Sequence, residues 1–318
     1  MSHLERLGRR MEVLIKPDGY GFIGRECPVK ECLGYFKIAL GTGLKGANLP
    51  CTCPYCGHTT RHDRFWTKEQ IAYARSVAFN RITEAVIADL RQLEFTHRPR
   101  GPFGIGLSMR VEGTPHPIRY YREKRLETEL VCENCSLRYA IYGAFGYCPD
   151  CRIHNTTNIL GKNFDLVGKV LSLAETADTD LATHLIGNAL EDAVSAFDGF
   201  GRETCRVALV AQSKPVPENL SFQNLAGAQR NVQSLLNYDL ASCLSSDEWA
   251  LACRCFQKRH LLAHKLGVVD KKYIEQAQDP EAVIGRKIRI RTDEVRDLVA
   301  ILRRLGSSLV QATAPAKP

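Results

Sequence analysis

The sequence predicts a multidomain protein in which small β-rich modules, pinned by cysteine clusters and accompanied by one amphipathic helix, precede an all-α C-terminal bundle. Three observations carry that prediction. A chain of 318 residues with 44% hydrophobic content exceeds a typical single core. Nine of the thirteen cysteines fall in two pairs of clusters, at 27 to 56 and 132 to 151. After about residue 160, glycine-punctuated short segments give way to helical periodicity.

The elements follow in order. From Met11 to Thr60, Gly19, Gly21, Gly24, Gly41, Gly43 and Gly46 punctuate short strands and turns, giving a first module over 1–66. Thr67-Lys-Glu-Gln70 is a capping-box pattern, and apolar residues at Ile71, Ala74, Val77, Ala78, Ile82, Ala85, Val86 and Leu93 predict an amphipathic helix over 67–95. Residues 96–125 contain Pro99, Pro102, Pro115 and Pro117 and read as a linker or extended connection. A second module spans 126–160. Helices are expected at roughly 178–198, 223–237, 246–266, 270–278 and 292–311, with caps at Ser246 and Thr292. The alternation in Ile284-Gly-Arg-Lys-Ile-Arg-Ile-Arg291 predicts a short extended segment with a basic face, and no internal repeat is visible.

Cys132-x2-Cys135 and Cys148-x2-Cys151, twelve residues apart, have the spacing in which two knuckles present four thiolates to one tetrahedral zinc. Tyr139, Tyr142, Phe145 and Tyr147 between them fit a small hairpin. Cys27-x4-Cys32 and Cys53-x2-Cys56 make a second such set, with Cys51 and His58 as alternative ligands. Disulfides would need an oxidising compartment, and the chain lacks the small-scaffold character that relies on them. Both ligand sets are closed, which predicts two structural Zn2+ ions rather than catalytic ones. The remaining Cys205, Cys243, Cys253 and Cys255 lie in helical sequence and read as core residues.

Net charge is +8, concentrated in the first 160 residues, which hold 23 Lys and Arg against 16 Asp and Glu. Two sites of four thiolates around a divalent ion would lower this to about +4, so global charge alone does not single out nucleic acid. Arg61, His62, Arg64, Phe65 and Trp66, just after one ribbon, suit either a nucleic-acid contact or a solvated basic loop. No apolar run approaches the ~18 residues that cross a bilayer, and the start Met-Ser-His-Leu-Glu-Arg lacks the apolar core of a secretory signal, so a cytoplasmic protein without membrane contact is expected.

Ser246 to Leu266 predicts an amphipathic helix with Trp249, Leu251, Ala252, Phe256, Leu262 and Ala263 toward a core and Arg254, Lys258, Arg259 and Lys265 as a phosphate-attracting excess of cations. Within it stands Arg259-His260-Leu-Leu-Ala-His264. This resembles the Arg-x4–6-His motif of the HEPN superfamily, whose residue after the arginine is Asn, Asp or His. Lys265-Leu-Gly-Val-Val-Asp-Lys-Lys-Tyr-Ile274 and Gly285-Arg-Lys-Ile-Arg-Ile extend the likeness, which covers about 165–312.

The resemblance implies a HEPN-like domain acting as a metal-independent endoribonuclease. It implies a homodimer that brings two motifs together through the helical domain, with RNA as substrate. On that implication Arg259 stabilises the phosphate, His264 is the acid or base and His260 orients the pair. His184, Asp192 and Arg230 are further polar groups on neighbouring helices. Two histidines on one helix face can also be half-buried groups bonded to neighbours. HEPN members that serve only as dimerisation or nucleotide-binding modules keep a second expectation open, a non-catalytic nucleic-acid-binding or scaffold protein. As a cell role, a defence or stress-response effector is the expectation.

Overall fold

The computed structural model describes residues 2–8, 10–43, 50–98 and 107–313. Gly46, Pro99 and Pro102 lie outside the described residues. The chain divides into two compact units, Met1–Ile153 and His154–Pro318.

In the N-terminal unit a short helix α1 (His3–Arg6) precedes β1 (Phe22–Glu26), β2 (Tyr35–Ala39), β3 (Pro50–Thr52) and β4 (Thr59–Arg61). Next come α2 (Lys68–Arg91), β5 (Phe95–His97), β6 (Leu107–Met109), β7 (Thr128–Val131) and β8 (Arg138–Ile141). The two regions expected as separate ribbons share one antiparallel sheet, ordered β1-β2-β8-β7. Its central ladder pairs Lys37 with Ala140 and Ile38 with Tyr139. The physical reason is that a two-stranded hairpin is marginal alone, whereas four strands can bury a face. Phe22, Phe36, Phe65, Tyr139 and Ile141 are that core.

The two halves match in topology: an edge strand, a knuckle, an inner strand, then a second knuckle. Sequence comparison within the chain hides this, because the cysteine spacings differ between the halves.

The capping box expected at Thr67 forms, with Gln70 N–H donating to Thr67 Oγ1 at 3.1 Å and Thr67 N–H to Gln70 Oε1 at 3.1 Å. The stretch expected as a connection runs extended along α2 from His116 to Lys124. Its backbone is tied to helix side chains: His116 N–H donates to Thr83 Oγ1 at 2.8 Å and Arg119 N–H to Ser76 Oγ at 2.9 Å, while Asn80 Nδ2 donates to His116 O at 2.7 Å.

The helical unit consists of α3 (Thr156–Ala174), α4 (Thr179–Ala211), α5 (Leu225–Leu236), α6 (Ser246–Lys265), α7 (Lys271–Ala277) and α8 (Thr292–Thr313). Helix α3 was not expected, and its first turn occupies sequence assigned to the second ribbon. Its signal is Leu160, Phe164, Val167 and Leu171, one buried stripe at helical spacing. Helix α4 also runs past 198, burying Phe200, Cys205 and Leu209. The N-cap of α6 is Ser245 rather than Ser246, in a capping box with Glu248. Side chains of α3, α4, α5, α6 and α8 meet in one core around Phe197, Phe256 and Leu302. Of the scattered cysteines, Cys205 and Cys255 are buried there and Cys243 and Cys253 pack against it.

Of the segment 284–291, expected to be extended, residues 284–286 form a turn with Gly285 at φ +82°, and a single isolated bridge pairs Lys287 with Val268. Ile288 N–H donates to Gly267 O at 2.9 Å and Val269 N–H to Arg286 O at 2.9 Å. Lys287, Arg289 and Arg291 are exposed, whereas Ile288 and Ile290 are half-buried.

Candidate metal centres and a histidine-bearing helix surface

Cys27, Cys32, Cys53 and Cys56 gather into one group, and Cys132, Cys135, Cys148 and Cys151 into another, with all sulfurs of a group within 4.8 Å of one another. Adjacent Sγ atoms lie 3.6 Å (Cys27–Cys56), 3.7 Å (Cys32–Cys53), 3.5 Å (Cys132–Cys151) and 3.5 Å (Cys135–Cys148) apart. These distances are too long for disulfides and close to the edge of about 3.8 Å in a tetrahedron with metal–sulfur bonds of about 2.3 Å. The donor set therefore fits a tetrahedral thiophilic ion at each place.

Local backbone presents the thiols. In three knuckles the first cysteine donates N–H to the carbonyl five residues on: Cys53 to His58 and Cys148 to Ile153, both at 2.8 Å, and Cys132 to Leu137 at 2.9 Å. The residue after the second cysteine donates back to the first: Gly57 to Cys53, Ser136 to Cys132 and Arg152 to Cys148. This turn needs a left-handed residue there, and φ is +71° at Gly57, +60° at Ser136 and +65° at Arg152. The longer Cys27-x4-Cys32 knuckle uses Leu33, at φ +45°, in the same place.

Cys51 and His58 are not in the first group. Cys51 is fully buried on β3, and burial pushes its thiol up to about 12 against the pull of the Arg25 guanidinium. His58 contributes its backbone instead.

Burial raises Cys27 to about 12 and Cys135 to about 11, and raises Cys53 and Cys148 further. Burial also opposes ionisation of Cys56 and Cys151, but backbone hydrogen bonds from His58 and Ile153 and the neighbouring thiols hold both below the usual value. A cation bound among them would offset the cost of ionising the buried thiols.

The residues after the first ribbon are not a stacking surface. Phe65 is fully buried, Trp66 is covered by Arg25 at 4.5 Å, and Arg61 pairs with Asp63 at 3.0 Å.

In the helical unit His260 and His264 are exposed one turn apart on α6, ring centroids 4.7 Å from each other. Phe256 and Leu261 on other faces of the helix enter the main core and a smaller cluster with Val269 and Tyr273. Arg259 is half-exposed. Its Nη1 donates to Gln223 Oε1 at 3.4 Å, its Nε has no partner, and among the described residues no carboxylate pairs with it. His260 is held below its ordinary pKa by partial burial and by the nearby His264, Lys272 and Arg259.

The expected cation excess on α6 is smaller than its sequence. Lys258 is buried, donating to both oxygens of Glu294 at 2.8 and 2.9 Å and to Arg289 O at 2.9 Å. Lys265 pairs with Asp270 at 2.6 Å. Ala263, expected toward the core, is exposed.

Sequence reasoning missed Gln223 and Lys272, which lie close to Arg259 and His260 respectively but sit on other elements. Gln223 is placed by Asp198, whose Oδ1 accepts from Phe222 N–H at 2.5 Å, while Gly201 leaves room for the Phe222 ring. His184, Asp192 and Arg230 are exposed, and no hydrogen bond or ion pair among the described residues joins them to Arg259, His260 or His264; His184 faces Asn188 at 3.1 Å.

Comparison with protein-family models, curated proteins and solved structures finds no match to this chain.

Proposed function

We propose that the protein is a metal-independent endoribonuclease whose helical unit, HEPN-like and paired with a second copy, cuts RNA, while each cysteine group holds a structural Zn2+. The observation that carries the nuclease reading is the exposed His260–His264 pair beside the half-exposed Arg259, whose guanidinium pairs with no carboxylate among the described residues. A phosphodiester is the ligand such a set suits. One imidazole takes the proton of a ribose 2′-hydroxyl, the freed O2′ attacks phosphorus, and the P–O5′ bond breaks. The leaving 5′-oxygen takes a proton from the second imidazole, giving a 2′,3′-cyclic phosphate and a 5′-hydroxyl. Arg259 stabilises the extra charge on the phosphorane oxygens.

His264 is the acid or base, and His260, one turn away with its ring centroid 4.7 Å from that of His264, orients the pair. Zinc is preferred over harder ions because, among the described residues, the two groups are made of eight cysteine thiols alone.

The test is cleavage of mixed RNA by purified protein, with EDTA added at the start to remove free divalent ions, beside His264→Ala. Wild-type cleavage producing cyclic phosphate ends, reduced at least about 100-fold by the substitution, is expected. Equal cleavage by both proteins, or none by either, overturns the nuclease assignment and leaves a zinc-stapled binding protein.

A further inference from the structure

The N-terminal unit carries a second feature with ligand chemistry. The extended segment tied to α2 reads Arg119-Tyr120-Tyr121-Arg122-Glu123-Lys124-Arg125, cations interleaved with aromatic rings. Where it passes Lys16-Pro17-Asp18 and Tyr73, it bounds a cleft of about 450 Å3 lined by Lys16, Asp18, Tyr73, Tyr120, Arg122 and Glu123. That volume is in the range of small-ligand sites, ~300–1,000 Å3.

The two tyrosines of the segment are used differently. Tyr121 turns inward, its ring 5.6 Å from that of Tyr73. Tyr120 stays 82% exposed and touches Tyr73 only obliquely, at 6.2 Å and 40°, so one ring face is open. Its backbone is nonetheless held, because Arg119 N–H is bonded to Ser76 and Lys124 N–H to Tyr35 Oη at 3.1 Å. An exposed aromatic ring on a fixed backbone loses little entropy when a flat ligand stacks on it.

Charge decides what kind of ligand. Four ionisable residues of opposite sign line the cleft, but the two acids are compensated from inside the fold. Asp18 pairs with the buried Lys37 at 2.8 Å and accepts N–H bonds from Tyr20 and Phe22, both at 3.0 Å. Glu123 accepts from Tyr35 Oη and from Gln70 Nε2 at 2.9 Å, and lies within the field of the buried Arg25. Lys16 and Arg122 are exposed, and among the described residues neither has an ion-pair partner. The cleft thus presents an open aromatic face flanked by two uncompensated cations.

We propose that this cleft grips single-stranded nucleic acid, one base stacking on Tyr120 while Lys16 and Arg122 hold the adjoining phosphates. A flat, uncharged ring joined to an anion within a few ångströms is the chemistry of a nucleotide unit, and stacking tolerates any base. The site shares no residue with α6 and does not depend on the nuclease reading.

The experiment measures binding of a fluorescent 12-mer oligouridylate to the full-length protein carrying His264→Ala, so that no cleavage intervenes. Tyr120→Ala is expected to weaken binding by about 5- to 150-fold, and Tyr120→Phe to leave it within about twofold. Lys16→Ala and Arg122→Ala are each expected to lower the slope of log affinity against log salt by about 0.7. Strands containing 4-thiouridine should crosslink under near-ultraviolet light to the peptide bearing Tyr120. Uridine 5′-monophosphate should compete only at concentrations about 100-fold above the strand, since it engages one stack and lacks neighbouring phosphates.

Unchanged affinity in Tyr120→Ala with adducts mapping elsewhere overturns the site. Competition by the mononucleotide at equal concentration overturns the strand assignment in favour of a free nucleotide. Loss of RNA cleavage in the assay of the preceding section touches neither result.

Discussion

At position 258 a lysine is 7% exposed, locked to Glu294 and to the carbonyl of Arg289. Removing one charge of such a pair strands the other in a low dielectric, so Lys258→Met is expected to cost about 3–5 kcal/mol of stability in urea unfolding. The double change Lys258→Met, Glu294→Leu should recover part of that loss, the remainder staying with Asp279, which Lys258 also faces at 3.8 Å, and a double mutant as unstable as the single would show that the Lys258 and Glu294 charges are not coupled. Nothing local in the sequence marks Lys258 as buried, because its partner lies 36 residues away on α8.

The cysteine ligands are the opposite case. Three of the four knuckles are set within four residues and the fourth, Cys27-x4-Cys32, within six, so spacing alone picks out the eight thiols that the fold gathers into two groups, and only Cys51 and His58 needed the fold to be set apart. Cys51→Ala and His58→Ala are therefore expected to keep the full metal content measured by atomic emission, while Cys53→Ala loses at least one equivalent. Metal loss in either of the first two would reassign the first site.

At the scale of elements, what was legible follows sequence range. Helices α2, α5, α6, α7 and α8 were visible through caps and periodicity, which are local. The β2–β8 ladder joins residues about one hundred positions apart through two short pairs, and no pattern within either hairpin announces it. Helix α3 has a regular stripe but no side-chain cap at Asn155 to mark its start, and it follows directly on the second cysteine cluster.

Its entry is fixed electrostatically. His154, two residues before α3, faces Glu203 of α4 at 3.2 Å, and Arg206 grips the same carboxylate through two bonds at 2.7 and 2.6 Å. Burial would raise the Glu203 pKa, but Arg206 and His154 bring it to about 2 from 4.5. A depressed carboxylate stabilises the fold above its unfolded value and ceases to do so as pH falls through its folded one. The stability difference between wild type and Glu203→Gln is therefore expected to be full at pH 5 and to shrink steadily toward pH 2. A difference that stays constant across that window would mean the carboxylate charge contributes nothing there.

For the molecule as a whole, the question is how many parts melt independently. Each cysteine group spans one hairpin, so that a metal held there would clamp it, since Cys27 and Cys32 lie between β1 and β2, and Cys132 and Cys135 between β7 and β8. The second knuckles of the two groups are hydrogen-bonded to each other: Thr52 N–H donates to Pro149 O at 2.7 Å and Tyr147 N–H to Pro54 O at 2.8 Å. Tyr55 ties both halves further, donating to Tyr35 O at 2.6 Å and accepting from Tyr142 N–H at 2.9 Å. Neither hairpin has a core of its own, so releasing one metal removes the sheet edge and the knuckle contacts on which the other depends.

The helical unit shares none of these ligands and buries its own cluster around Phe197, Phe256 and Leu302. Titration with a strong zinc chelator, read by a metallochromic dye, is accordingly expected to release both equivalents in one transition. The near-ultraviolet signal of Tyr139 and Trp66 should vanish in the same step, and most of the helical signal at 222 nm should persist beyond it. Two well-separated release steps would mean that the hairpins fold independently despite the shared ladder. Helix loss coincident with metal release would mean that the bundle cannot hold its fold once the sheet is gone.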